Sequence, residues 1–437
     1  VPRRLPPVLA VALAAVTLPG TAVAQPWNPP TSIGPAAGQV RRVLTGDSGA
    51  TLIVSRRGSR TTLQAVGPLG VPGRRRRLRT ILDVGVYGNR TVVLHRSSGR
   101  RRIAVSIGRL DGRLGRPRTI HRGRPANARL AVGADGQVLV AIGVGGRGSG
   151  YRAERTRLTW SLAAARRRWR SRALRGRGEL LAAAIDGRSN AVLLMQRRDG
   201  RAFRIQSGRL ALRSGDGWRI WRTLDRTRDA RVEGVAATGG FRWAVLAWGS
   251  QDAGRTSRPY VVHAAFRRRS GPFFGPATLL DAGAVSRRPA AAPVAAVTRG
   301  GYATVAWSQT VAPGVSVPRA ATAMLARGAG RSAVRPEGDL LPTGYVRDAV
   351  TTGPTTLVSV AGSFAPYVPG APAPTTSSGV LPRQAGQRFG PFEPIGTQGA
   401  LDLTAPALAG GPGGFRAAWS GAAGPARALR FSARPLG

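Results

Sequence analysis

The sequence predicts an all-β chain folded as a single β-propeller of about eight four-stranded blades, the last of them closed by the N-terminal strand. Three observations predict it. Eight glycine-containing turns recur at intervals of roughly 40 to 60 residues. Each runs at once into a short, strongly apolar strand. The C-terminal unit supplies three strands, and a segment matching its missing fourth stands near Trp27, at the other end of the sequence.

The turns are Asp47-Ser48-Gly49, Gly88-Asn89, Asp135-Gly136, Asp186-Gly187, Gly239-Gly240, Gly300-Gly301, Gly353-Pro354 and Gly413-Gly414. Asp-Gly and Gly-Gly pairs suit two-residue hairpins, because both central positions accept positive φ. The strands that follow are residues 50–54, 91–94, 138–142, 191–195, 243–248, 303–307, 357–360 and 415–419. They are apolar almost without interruption, as a strand covered on both faces by neighbouring sheets must be. Three end alike, in Leu246-Ala247-Trp248, Val305-Ala306-Trp307 and Ala417-Ala418-Trp419.

A second landmark leads into the next unit. It pairs an aromatic or Gly-Pro element with a short aliphatic run, at residues 114–120, 218–224, 274–280 and 389–395. Proline suits only an outer edge strand, where an N–H need not feed the ladder. Between the landmarks lies a third strand of alternating pattern, as in residues 204–210 and 260–266. Residues 27–34 repeat the outer-strand pattern of 389–396, so they complete the final blade and remove an exposed edge. The expected blades are 39–81, 82–123, 126–176, 179–225, 232–283, 288–344, 346–399, and 401–437 joined by 26–34. Seven blades follow if the least regular unit, around 39–80, is not one. A parallel β-helix needs shorter repeats, and a helical solenoid needs a 3.6-residue period that is absent. A pair of β-sandwiches would not give the regular spacing.

These motifs, strongest at 246–248, 274–280, 305–307, 389–396 and 417–419, resemble those of uncharacterised exported β-propeller repeat proteins of GC-rich bacteria. The resemblance implies a fold and an envelope setting, and no substrate.

Residues 1–24 read as a signal peptide. Arg3 and Arg4 precede an apolar run, and Thr21-Ala22-Val23-Ala24 offers an A-x-A cleavage site before Gln25. Pro6, Pro7 and Pro19 shorten that run below the roughly 20 residues of a membrane span. The expected location is therefore secreted or envelope-associated, outside the cytoplasmic membrane, with no transmembrane segment in the mature chain. There is no cysteine, which excludes disulfides, thiolate catalysis and cysteine-ligated metals.

All 67 basic residues are arginine, against 19 acids, for a net charge of +48. Such a field draws anions and discourages self-association, so a monomer is expected. The charge is uneven, with 44 arginines and 11 acids in residues 51–250 against 19 and 7 in residues 251–437. Arginine clusters at 74–77, 100–102, 166–168 with Trp169 and Arg170, and 267–269 fall at expected hairpin or loop positions. They form either a solvated rim or a face for polyanions, since guanidinium groups chelate carboxylate and phosphate in pairs.

Little chemistry is visible beyond charge. His95, His121 and His263 read as belonging to different units, none at metal-ligand spacing, with His95 in the slot that Trp248 and Trp307 fill elsewhere. Phe203-Arg204-Ile205-Gln206 resembles the Phe-Arg-Ile-Pro element of sialidases without its proline, and Ser214–Trp218 is three residues short of that family's Asp turn. Most acids sit beside turn glycines, leaving Glu154, Glu179, Glu233 and Asp252 as the candidates for acid–base work. No phosphate loop, nucleophile elbow or calcium loop is present. The segments 362–378, rich in proline, and 143–154, rich in glycine, extend hairpins. The sequence assigns no catalytic, cofactor or metal residue. It supports a non-enzymatic binding or scaffold module at the cell envelope, directed at anionic polymers or polysaccharide and binding nucleic acid only without specificity. The alternative is a glycan-directed hydrolase or lyase with two carboxylates on the central face.

Overall fold

The computed structural model describes residues 26–97, 102–123, 125–145, 153–162, 169–174, 178–199, 202–214, 222–228, 230–239, 243–252, 261–267, 274, 278–281, 292–312, 315–325, 334–364, 377–395, 405–423 and 426–436. The expected signal peptide lies outside these residues.

The described chain forms eight antiparallel sheets of four strands each. A short strand, β1 (Thr31–Pro35), comes first. Blade 1 follows as β2 (Gln39–Thr45), β3 (Thr51–Arg57), β4 (Arg60–Val66) and β5 (Pro72–Arg79). Blade 2 is β6 (Ile81–Tyr87), β7 (Arg90–Ser97), β8 (Arg102–Arg109) and β9 (Arg118–Arg122). Blade 3 is β10 (Pro125–Val132), β11 (Val138–Gly145), β12 (Ala153–Ser161) and β13 (Arg170–Ala173). Blade 4 is β14 (Glu179–Ile185), β15 (Asn190–Asp199), β16 (Ala202–Ala211) and β17 (Arg222–Arg228). Blade 5 is β18 (Ala230–Gly239), β19 (Ala244–Asp252), β20 (Val261–Arg267) and β21 (Thr278–Asp281). Blade 6 is β22 (Val294–Val297), β23 (Tyr302–Ala312), β24 (Val315–Met324) and β25 (Val334–Asp339). Blade 7 is β26 (Thr343–Thr352), β27 (Thr355–Ser363), β28 (Ser377–Gln384) and β29 (Glu393–Pro394). Blade 8 takes β30 (Ala407–Gly411), β31 (Gly414–Ala423) and β32 (Ala426–Arg434), with β1 as its outer strand.

The count is eight, since the irregular first unit is a complete sheet. The first strand of each blade touches the first strand of the next, and β2 touches β30, so these strands form a closed ring about the axis.

Among the described residues every predicted turn joins the first strand of a blade to the second, and that at Gly239-Gly240 lies partly outside them. Four of them are not the two-residue hairpins that the Asp-Gly and Gly-Gly pairs suggest. In the turns ending at Gly49, Gly136, Ser189 and Gly301, the last N–H donates to the carbonyl three residues earlier at 3.0 Å. Only that last residue is left-handed, with φ of 77°, 81°, 61° and 85°. This is a type I turn followed by a bulge, which needs one positive φ rather than two. At Gly301 the demand is double, because a methyl group there would also come within 2.6 Å of the Trp243 ring.

The unbroken apolar second strands follow from the packing. Each of the eight core clusters joins two adjacent blades, and successive residues of a second strand enter different clusters. Val245 and Ala247 pack toward blade 6, with Val305 and Trp307. Leu246 and Trp248 pack toward blade 4, with Val192 and Leu194. A strand apolar on both faces loses its alternation. Each aliphatic or aromatic side chain wholly buried here stabilises the ring by about 1.5–3 kcal/mol.

The closure forms as expected, its strand covering residues 31–35 rather than the whole of 26–34. β1 pairs antiparallel with β32, Thr31 opposite Phe431 and Pro35 opposite Ala428. The contact reaches back to Asn28, whose N–H donates to the Ala433 carbonyl at 2.8 Å. Ile33 joins Phe431 and Val40 in the core between blades 8 and 1.

Candidate functional site

First strands begin, second strands end and third strands begin on one side of the ring, the entry face; the eight turns lie on the opposite, exit face. The arginines of these clusters that lie among the described residues stand in strands rather than in the loops expected from sequence. Arg74, Arg75, Arg76 and Arg77 lie within β5, an outer strand. Arginine on an outer edge keeps that edge from pairing with another sheet. Arg267 is buried at the end of β20, ion-paired with Asp186 of blade 4. Asp186 also accepts from the N–H groups of Arg188 and Asn190, so this pair locks a turn to the next blade. Residues 100–101, 166–168 and 268–269 lie outside the described residues, as do most of the two extended hairpins.

The sheet register shows a different arginine pattern. Arg57, Arg60 and Arg79 stand directly opposite one another across β3, β4 and β5. Arg197, Arg204 and Arg226 do the same across β15, β16 and β17, and Arg102 opposes Arg122 across β8 and β9. All three rows lie at the entry-face ends of their strands. Side chains in direct opposition share one face of a sheet with Cβ atoms about 5 Å apart. In the less basic half the pattern changes: Arg319 opposes Asp339 and bonds to it at 2.7 Å.

A second polar set surrounds the axis. In β2, β6, β10, β14, β18 and β26 the register shifts by one residue near the entry-face end. Just after this bulge, Asp83 accepts from its neighbour Val84 N–H and from Leu130 N–H of blade 3. Asp348 repeats the arrangement with Ala349 N–H at 3.0 Å and Leu408 N–H of blade 8 at 3.1 Å. Arg42 donates to Asp83 at 2.5 Å and to the Val84 carbonyl. Arg347 donates to the carbonyls of Ala405 and Val40, tying blade 7 to blades 8 and 1. Burial pushes the Asp348 carboxyl above the usual carboxylate range, against the pull of the Leu408 N–H and the Arg347 charge. Sequence reading missed this ring. Its only trace is an aspartate five residues ahead of a turn glycine, Asp83 before Gly88 and Asp348 before Gly353.

The four candidate carboxylates all fall at entry-face strand ends. Glu179 begins β14, half-buried opposite Gln196. Glu154 lies in β12, Glu233 at the bulge of β18 and Asp252 at the end of β19, with side chains outside the described residues. The histidines are not in three units: His95 and His121 share blade 2, in β7 and β9. His95 Nε2 is 3.0 Å from Ser106 Oγ. Burial lowers the pKa of both, and the Arg157 charge adds to this at His121. His263 stacks on Trp248, the rings 5.6 Å apart and within 6° of parallel, with Nδ1 3.7 Å from Asp225 Oδ2. Burial lowers its pKa, opposed by the Asp225 charge. Among the described residues no three of His, Asp and Glu stand close enough to hold a metal ion, and no helix is long and apolar enough to cross a membrane.

No family model matches the chain, and no curated protein matches it. Solved structures similar to it include the polysaccharide lyase Uly1, at 12% identity over 82% of this chain and 90% of that one, with a TM-score of 0.46. The β-propeller domain of the Trilobed protease from Pyrococcus furiosus is 10% identical over 86% of this chain and all of that domain (100%), with a TM-score of 0.44. The Penicillium chrysogenum α-L-arabinanase complexed with arabinobiose is 12% identical over 71% and 92%, with a TM-score of 0.36. These are likenesses of fold alone.

Proposed function

We propose that this propeller is a non-enzymatic binding module for anionic polymers, acting at the cell envelope through the entry-face rims of blades 1, 2 and 4. One observation carries the reading: arginines stand directly opposite arginines at those rims. Like charges so placed cost a ladder about 0.2–1 kcal/mol per pair, and a polymer carboxylate or phosphate between them reverses the sign. Rows on three blades suit a long polyanion better than a point ligand. The signal-like residues 1–24 support the envelope setting.

The hydrolase alternative needs two free carboxylates at the central face. Among the described residues the axial cavity holds Asp348, and both its oxygens are engaged by backbone N–H groups.

Titration with a polyuronate such as alginate across a range of NaCl tests the proposal. Affinity falls steeply with salt, and replacing Arg57, Arg60 and Arg79 together by Gln lowers the log–log slope by roughly two, at about 0.7–0.9 per lost contact as for nucleic-acid polyanions. Binding that ignores salt, or a triple variant that matches the parent, would sink the reading.

A further inference from the structure

Where blades 7, 8, 1 and 2 meet at the axis, their first strands leave a cavity of about 380 Å³. That is toward the small end of ligand pockets, which run roughly 300–1,000 Å³. Arg41 and Arg347, which line it, are the unpaired residues of the bulges in β2 and β26. Bulges re-aim side chains and recur beside functional sites. Val86 and Val350 supply a small apolar surface.

The charges in this cavity do not balance. Arg42 is matched by Asp83. Arg347 is held by two backbone carbonyls and has Asp348 as its neighbouring counter-charge. Both oxygens of Asp348 are occupied by N–H groups of the strands. Arg41 is exposed and, among the described residues, makes no hydrogen bond or ion pair. Its charge instead opposes that of Arg347. One guanidinium therefore faces a largely polar cavity without a counter-charge, beside a small apolar patch that a ligand's carbon skeleton can cover.

We propose that the axial cavity is a binding site for a compact organic carboxylate about the size of one acidic sugar, its carboxylate on Arg41 and its skeleton against Val86 and Val350. A guanidinium grips a carboxylate with two parallel N–H···O bonds, which fixes the ligand's orientation as well as its charge. The site shares its chemistry with the rim rows but none of their residues, so it stands or falls separately from them.

Calorimetric titration with glucuronate, glucose and inorganic phosphate tests it on the parent chain, Arg41→Gln, Arg41→Lys and Arg60→Gln. Glucuronate binds the parent chain and glucose does not. Arg41→Gln weakens glucuronate by about tenfold or more, the worth of a charged hydrogen-bond pair. Arg41→Lys recovers part of that loss, and Arg60→Gln changes nothing. Because Arg41 is exposed and unbonded, its variants keep the parent melting temperature. Three results would each overturn the site: no glucuronate binding by the folded parent chain, equal binding by Arg41→Gln, or phosphate binding as tight as glucuronate. Alginate binding lost in the rim variant with glucuronate binding intact confirms that the two surfaces are distinct.

Discussion

His263 shows how one buried side chain sets a pH response. It lies flat on Trp248 and near Asp225 of the adjacent blade, and its burial favours the neutral ring. His95 and His121 shift the same way. With folded pKa values below the unfolded value of about 6.5, the unfolded chain takes up protons first as pH falls. Stability present above pH 6.5 is therefore lost from there down toward the folded values. Asp348 acts oppositely: its raised folded pKa gives stability at low pH that is lost as pH rises through that value. His263→Phe keeps the stack on Trp248 and removes one titration. Urea denaturation from pH 7 to 5 should show the parent losing stability more steeply, by up to about 1.4 kcal/mol per pH unit for the one proton removed; coincident slopes would refute the assignment. The environment of His263 was not legible in sequence. Its likeness to a strand residue gave only its place in β20, because Trp248 and Asp225 meet it through sheet register and blade packing, which no local pattern encodes.

At the scale of elements, β1 is the clearest case of a strand whose partner lies at the far end of the sequence. Thr31 to Pro35 give blade 8 its outer edge, and Trp27 packs with Ile395 and Trp419 between blades 7 and 8. Removing residues 26–35 exposes the edge of β32 and takes Ile33 and Trp27 from two cores. Hydrogen exchange in β32 should then quicken by about tenfold or more, equivalent to about 1.4 kcal/mol of local stability, while β11 and β15 change far less; uniform loosening of all blades would contradict a local closure. This strand was readable because its aromatic–proline–isoleucine pattern repeats that of residues 389–395. Second strands such as β11 were readable for a simpler reason, being buried on both faces. The first strands were readable only as small-residue and aliphatic runs leading into each turn. Their composition is mixed, and the bulges that position Arg41, Asp83, Arg347 and Asp348 leave no signature beyond charged residues near a strand start.

For the whole molecule the governing quantity is charge and where it is matched. Blades 1, 2 and 4 set arginine against arginine, whereas blade 6 sets Arg319 against Asp339 and blade 8 bonds Arg434 to Glu393 at 2.5 Å. Salt screens exposed charges over about 10 Å at 0.1 M and much less over buried pairs. The charges are mostly of one sign, in a chain of net charge +48. The attractive Arg267–Asp186 pair is buried and so is shielded from that screening. Raising NaCl from about 0.05 to 0.5 M should therefore stabilise the fold, a rise in melting temperature of a few degrees for each kcal/mol relieved. The variant lacking Arg57, Arg60 and Arg79 should start more stable at low salt and gain less from added salt. A parent chain that loses stability with salt would mean that attractive pairs outweigh the rows. The same experiment bears on function, because salt must weaken polymer binding while it strengthens the fold. A loss of binding at high salt then cannot be ascribed to unfolding. The opposite signs separate repulsion stored within the rims from attraction to a ligand laid across them.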